Sequence, residues 1–461
     1  MSSIGQSLAA IVGAGNVFEG AGIDERYRVD VMAKYVSTPG FVVRPGSTEE
    51  VAAVVKLAVQ ANLSITPLGG RTGVVGGGVA KDGAIVLSLE RMNKVLEVDP
   101  ASMTMTVEAG ATLQATHESA EASGLFMPLD LGARGSATIG GNIATNAGGN
   151  RVLRWGMMRD MVLGLEAVLA NGSVVSSLTK ALKDNAGYNW KHLFIGSEGT
   201  LGVITRAVLR LRPLPVSSQT ALVAMSSFET ATALLRKMEA ALGGRLSSFE
   251  LMWSDFYDFS SEAQLAKRAR PLPCGHALYA LMESLGSEVA HDADLFAQTL
   301  ERAMSEGLAS DVVIAQSDRE RDNLWAVRDD LTEVLRPLRP LIAYDVSMAL
   351  GDMPRFREET RAQILERFPH ATTLYYGHAG DGNLHLVVGA GTGKDQTTEV
   401  DRMVYRVVEK YRGSVSGEHG IGKGKREYIG LTRSAQELAL MQAIKTALDP
   451  HNLMNPGKVL P

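Results

Sequence analysis

A chain of 461 residues, 45% hydrophobic and 21% charged, has the composition of a soluble globular protein and is long enough for two or three domains. A formal net charge of −5 without a long basic run argues against nucleic-acid binding. The single cysteine, Cys274, excludes an intrachain disulfide and a cysteine metal site. No apolar run approaches the ~20 residues of a membrane span, and the start MSSIGQSLAAIVG lacks the basic residues and cleavage site of a signal peptide. A cytoplasmic enzyme is expected, with peripheral membrane association left open.

In chain order, Gly13-Ala-Gly15 follows a helix-like stretch and reads as a helix C-terminus, since the third glycine of a dinucleotide fingerprint is absent. Ser47 to Glu50 forms a capping box ahead of Val51, Val54, Val55 and Ala58, spaced as one helix face. Leu63–Pro67, Ala84–Leu89, Lys94–Val98 and Met103–Glu108 read as strands. Asn171-Gly172 between apolar runs predicts a type I′ hairpin. Arg210-Leu-Arg-Pro-Leu-Pro215 marks a boundary. Beyond it, strands at Ala221–Met225, Ala277–Met282 and Val312–Ala315 alternate with helical patterns near 228–242, 290–306 and 318–336, which predicts a second, α+β domain. The expected division is 1–215 (an N-terminal helix and two α/β subdomains), 216–415, and a segment 416–461 that rejoins the first domain and closes the site.

Glycine is abundant, at 48 residues, and it clusters in three runs. The first is Pro67-Leu-Gly69-Gly70-Arg71-Thr72-Gly73-Val-Val-Gly76-Gly77-Gly78. Without Cβ atoms, successive N–H groups there can converge on a phosphate. The second spans Leu131 to Gly149 and includes Gly135, Thr138, Gly140, Gly141, Asn142, Ala144, Thr145, Asn146 and Gly148. The third contains Glu198, Gly199, Gly202 and Ile204. Three such runs, interleaved with small hydroxyl and amide residues, suggest a long ligand threaded along the backbone.

Together these runs resemble the FAD-binding domain of the vanillyl-alcohol oxidase/p-cresol methylhydroxylase superfamily. Within it, the chain is most similar to the FAD-linked D-2-hydroxyacid dehydrogenases, which include D-lactate and D-2-hydroxyglutarate dehydrogenases. The likeness extends from Pro45 to Asn455-Pro-Gly-Lys458. It implies an α+β fold: a two-subdomain FAD-binding domain of that type with an α+β substrate (cap) domain. It also implies that the first run holds the FAD pyrophosphate, that the other two and Asn455 line the cofactor, and that the acceptor of the electrons is an electron-transfer flavoprotein or a quinone. Some members attach FAD covalently through a histidine near the first run. Here Arg71 and Thr72 stand there, so the FAD is expected to be noncovalent. A homodimer is consistent with this reading.

Of nine histidines, three have unusual company. His378 and His385 flank a glycine turn, and Glu418 precedes His419 between glycines. Adjacent residues of a regular strand point to opposite faces, but the flanking glycines can let Glu418 and His419 face one cleft. Two histidines and a glutamate suit a divalent metal, zinc or a neighbour such as manganese, although a histidine in a glycine-rich loop is more often a local hydrogen-bonding residue. The resemblance makes His378, His385 and Glu418 ligands and His419 the catalytic base. It also places Arg328 on the substrate carboxylate, with Thr332 a helical turn later on the same face of one amphipathic helix.

Two positions depart from the D-2-hydroxyglutarate pattern: Ala343 stands where a lysine is expected and Val387 where an asparagine is expected. A distal carboxylate would be poorly solvated beside them. The expected substrate is therefore a monocarboxylate with an apolar side chain, D-lactate or larger, unless Arg336 or Arg339 replaces the lysine. D-2-hydroxyglutarate, an oxygen-using oxidase of the same superfamily, and a flavin-binding protein without catalysis are the competing readings.

Overall fold

The computed structural model describes residues 1–389 and 394–461. The chain divides into two compact units. One comprises Met1–Gly148, Gly156–Leu214 and Glu418–Pro461; the other comprises Gly149–Trp155 and Pro215–Gly417. Among the described residues, no helix is long and apolar enough to cross a membrane.

The first unit holds two main sheets. One has the strand order Val17–Glu19, Phe41–Val43, Ile85–Ser88, Ile65–Leu68, parallel except for its first pair. The other is antiparallel, in the order Val95–Asp99, Thr104–Glu108, Gly202–Arg210, Val162–Leu169, Val174–Ser177. The Thr48–Gln60 helix buries Val51, Val54, Val55 and Ala58 completely, as their spacing predicts. Its cap differs from a capping box: Ser47 Oγ accepts from Glu50 N at 3.2 Å, but Glu50 reaches back to Gly46 N at 2.7 Å. The first helix, Ser3–Val12, ends at Gly13 with φ 85°. The expected hairpin forms, but not with a type I′ turn. Gly172 has φ 78° and donates to Leu169 O at 2.9 Å, which makes Ala170 and Asn171 the central residues. Asn171 keeps a negative φ, so the glycine closes the turn from the position after it.

The C-terminal segment extends the parallel sheet. Ile65 N donates to Leu453 O and Asn455 N to Ile65 O, each at 2.7 Å, beside the parallel Ile65–Met454 bridge.

The second unit is built on one antiparallel seven-stranded sheet. Its order is Asp311–Ile314, Ser217–Met225, Leu278–Gly286, Leu246–Trp253, Thr372–His378, Asn383–Gly389, Ile342–Ser347. Helices Phe228–Leu242 and Val289–Ser305 agree with the predicted spans. The third pattern, expected as one helix over 318–336, is broken at Asp330 (φ −78°, ψ 44°) into Asp318–Asp329 and a single turn at Leu331–Val334. The Gly149–Trp155 excursion belongs here because Arg151 Nε donates to Glu283 at 3.2 Å and Ser248 Oγ donates to Asn150 O.

Candidate active site

The glycine runs converge around a cavity of about 360 Å³ in the first unit. Close backbone approach explains two of the glycines. A Cβ on Gly70 would lie 1.8 Å from Ser136 O, and one on Gly69 would lie 2.3 Å from Thr138 Oγ1, so the first run packs directly on the second. Gly73 and Gly132 line the cavity with nothing within 4 Å of where a Cβ would stand, leaving backbone open to a ligand.

Most residues expected around the cofactor line this cavity: Pro67, Gly69 to Gly73, Thr138, Gly140, Gly141, Asn142, Ala144, Thr145, Gly148, Glu198, Gly199, Gly202 and Ile204. Four stand elsewhere. Gly76 packs on the Tyr35 ring and Gly135 lies in an exposed turn. Asn146 caps the Ile139–Thr145 helix with φ 50° and accepts from Arg159 N at 2.9 Å. Asn455 donates to Gly77 O and Glu198 O at 3.0 and 2.7 Å, fastening the first run to the third from behind. The Nδ2 of Asn142 is buried without a hydrogen-bond partner in a residue that lines the cavity, so the cradle presents a donor that a polar ligand would satisfy. Open backbone at the glycines and this orphaned donor fit an extended dinucleotide. Arg26, Tyr27, Val29 and Asp30 also line the cavity, and no motif in the sequence marks them.

Glu198 binds the C-terminal segment to the cavity. It sits at φ 51°, and its carboxylate accepts from Ile421 N at 2.7 Å and Gly422 N at 2.8 Å. Burial pushes this carboxyl above the ordinary range, against the two N–H groups and the Lys425 and Lys458 charges. Burial also drives Lys458 down to about 8; Lys423 adds to the shift and Glu198 opposes it. The non-strand turn held this way brings both Glu418 and His419 to the wall of the same cavity.

The second unit carries the other half of the predicted set. Register pairs Glu250 with His378 and Tyr376 with His385, which puts all four on one sheet face. Gly382, at φ 84°, makes the turn between the two histidine strands, and the imidazole centroids lie 5.3 Å apart. His378 Nδ1 is 2.6 Å from Glu250 Oε1. Burial alone would raise the Glu250 carboxyl, but the facing His378 and Arg328 outweigh it and hold it below the usual range. An ionised carboxylate only accepts, so the Nδ1 that faces it carries a proton.

Arg328 is no solvated helix charge: it is 4% exposed, donates from Nε to Glu250 Oε2 at 3.0 Å, and lies 4.7 Å over the Tyr376 ring. Its Nη2 is 3.5 Å from His378 Nε2. Thr332 does not share this face of a continuous helix; it is exposed on the separate turn beyond Asp330. Glu250 had no motif to announce it. Its signal is a lone acid within Leu246–Trp253, a strand in which every residue is buried. Val387, two residues after His385, is 1% exposed in an apolar cluster with Phe256, Tyr257, Leu374 and Leu335, and Ala343 pairs directly opposite it. Asp345 Oδ2 accepts from Ser416 Oγ (3.0 Å) and Gly417 N (3.1 Å), anchoring the chain one residue before Glu418.

Comparison with known proteins agrees with this layout. Residues 39–177 match the FAD binding domain family, and residues 214–459 match the C-terminal domain of FAD linked oxidases. The D-2-hydroxyglutarate dehydrogenase of Xanthomonas citri pv. viticola is 41% identical over 94% of this chain and 92% of its own. That of Stutzerimonas stutzeri is 33% identical over 98% and 97%. The mitochondrial D-2-hydroxyglutarate dehydrogenase of Arabidopsis thaliana is 36% identical over 98% and 80%. Among solved structures, p-cresol methylhydroxylase with substrate bound shares the fold with a TM-score of 0.77 at 16% identity, over 99% of this chain and 96% of that one. The chain therefore belongs to the FAD-linked oxidoreductases that contain the D-2-hydroxyglutarate dehydrogenases, and it carries their FAD-binding domain.

Proposed function

We propose that the protein is a dehydrogenase that oxidises a D-2-hydroxy acid to the 2-oxo acid with noncovalently held FAD and a divalent metal, zinc or manganese. The observation that carries this reading is the presence of His419 and Glu418 on the wall of the glycine-lined cavity. Bound there, FAD supplies the acceptor for the C2 hydride. His378, His385 and Glu418 would hold the metal, whose chemistry is to stabilise the developing alkoxide. His419 takes the hydroxyl proton, a role suited to an imidazole near neutral pH. Glu250 engages the Nε side of Arg328 and so orients the guanidinium, whose Nη side binds the substrate carboxylate. No histidine lies in the first glycine run, which supports dissociable FAD. Electrons leave to a separate acceptor, an electron-transfer flavoprotein or a quinone.

Val387 and Ala343 favour a monocarboxylate with an apolar side chain, D-lactate or larger, because the first is sealed in an apolar cluster and the second offers no charge opposite it. The second reading, D-2-hydroxyglutarate, draws on the names of the relatives. Anaerobic flavin bleaching by a panel of D- and L-2-hydroxy acids, with and without chelator, tests both. Faster bleaching by D-lactate or a larger monocarboxylate, abolished by chelator, is expected. D-2-hydroxyglutarate outpacing every monocarboxylate would reverse the substrate order, and indifference to chelator would remove the metal.

A further inference from the structure

One wall of the cavity comes from none of the glycine runs. Arg26, Tyr27, Val29 and Asp30 line it, and all four precede residues 39–177 of the FAD binding domain match. The segment is fastened to the first run: Arg71 Nη1 donates to Arg26 O at 3.3 Å, and Tyr35 packs so close to Gly76 that a Cβ there would fall 2.6 Å from the ring. Tyr27 Oη donates to Glu90 at 2.9 Å. Within this strap Asp30 is 9% exposed. Its Oδ1 accepts from Tyr35 N at 2.7 Å and builds the local turn. Its Oδ2 is buried with no hydrogen-bond partner among the described residues. A buried carboxylate oxygen without a donor costs free energy that turn-building does not require.

We infer that Asp30 is a cofactor-binding residue whose Oδ2 accepts a hydrogen bond from an N–H or O–H of bound FAD. The donor belongs to a ribityl or ribose hydroxyl, the adenine amine or the flavin imide, because a carboxylate repels the diphosphate. The strap is thus part of the FAD site although it lies upstream of the residues that match the FAD binding domain family. The inference rests on FAD occupying this cavity.

The test is FAD titration of flavin-free protein. Asp30→Asn keeps an oxygen for the Tyr35 amide but can put an amide donor where Oδ2 stood. The expected result is FAD affinity weakened roughly ten- to a hundred-fold with the melting temperature of the flavin-free protein unchanged. Asp82→Ala removes the acceptor of Thr38 N (2.7 Å) beyond the strap and outside the cavity lining, and should leave FAD affinity as it was. Unchanged affinity in Asp30→Asn overturns the inference. So does equal weakening in Asp82→Ala, or a loss of flavin-free stability in step with affinity, since either leaves Asp30 a turn residue only. Hydrogen exchange of wild-type protein gives a reading even where Asp30→Asn does not fold. Added FAD is expected to protect the amides of 26–35, and no added protection overturns the inference. Wild-type protein that takes up no FAD overturns the cavity assignment as well, which separates the two failures.

Discussion

Glu250 and His378 sit opposite each other in register, and the contact between Oε1 and Nδ1, 2.6 Å, places a proton on the Nδ1 side of the imidazole. The same carboxylate holds Arg328 through its other oxygen. Replacing it with leucine removes the nearer carboxylate from a buried guanidinium and leaves Asp329, 3.6 Å from Nη1, as a partner, at a cost of about 3 kcal/mol in urea unfolding. Glu250→Gln still accepts from Nδ1 but loses the ion pair, and should be the milder change. In the proposed metal site, Glu250→Leu should also weaken zinc binding about 10–100-fold in a chelator competition, and unaltered zinc affinity would count against the orienting role.

His419 shares the cavity wall with the glycine runs. His419→Asn should lower the rate of anaerobic flavin reduction by about 10²–10⁴ while the purified protein stays yellow. Wild-type reduction rates would remove it as the base.

The glycines of the first run divide by what surrounds them. Gly70→Ala meets a backbone oxygen that no rotamer avoids, so flavin-free stability should drop by about 3 kcal/mol or more. Gly73→Ala meets nothing within 4 Å; thermal unfolding of the flavin-free protein should be nearly unchanged, with the loss confined to FAD affinity. Equal melting temperatures for the two variants would contradict the packing argument.

Lys458 titrates near 8 in the folded protein, against an ordinary 10.5, because it is buried. Below pH 8 the folded state carries a buried charge that the unfolded chain holds in water. Between about 8 and 10.5 the folded state releases this proton first, so the unfolded state binds more protons and stability rises with pH. Relative to Lys458→Met, the wild-type protein should gain about 2 kcal/mol between pH 7 and pH 9.5 in urea unfolding. A constant difference between the two proteins across that range would refute the shifted titration.

Sequence carried the parts of this molecule that are local. The Thr48–Gln60 face and the Phe228–Leu242 helix follow from apolar spacing, and the glycine runs identify their own ligand class because close approach and open backbone both demand glycine. What stayed hidden depends on distance or on one dihedral. Glu250 meets His378 across 128 positions, and nothing in Ser-Ser-Phe-Glu-Leu-Met-Trp names its partner. The break at Asp330 separates Thr332 from Arg328 although the apolar pattern runs through it. Asn171-Gly172 does promote a hairpin, but Gly172 takes the left-handed position one step later than the dipeptide suggests. The residues 26–30 carry no pattern at all; their place on the cavity wall depends on contacts distant in sequence, such as Arg71 Nη1 to Arg26 O.

Asn455 ties together Gly77 and Glu198, and Ile65 pairs with residues on either side of Met454. On a ribosome, all of Pro215–Gly417 is made before the 453–455 segment of the first unit appears. The second unit, continuous except for Gly149–Trp155, can fold while it emerges, whereas the cofactor cradle waits for residues made after it. Flavin loading is therefore a late event in the life of each molecule, and a nascent chain stalled before Asn455 would hold its glycine runs without the clasp that shapes them.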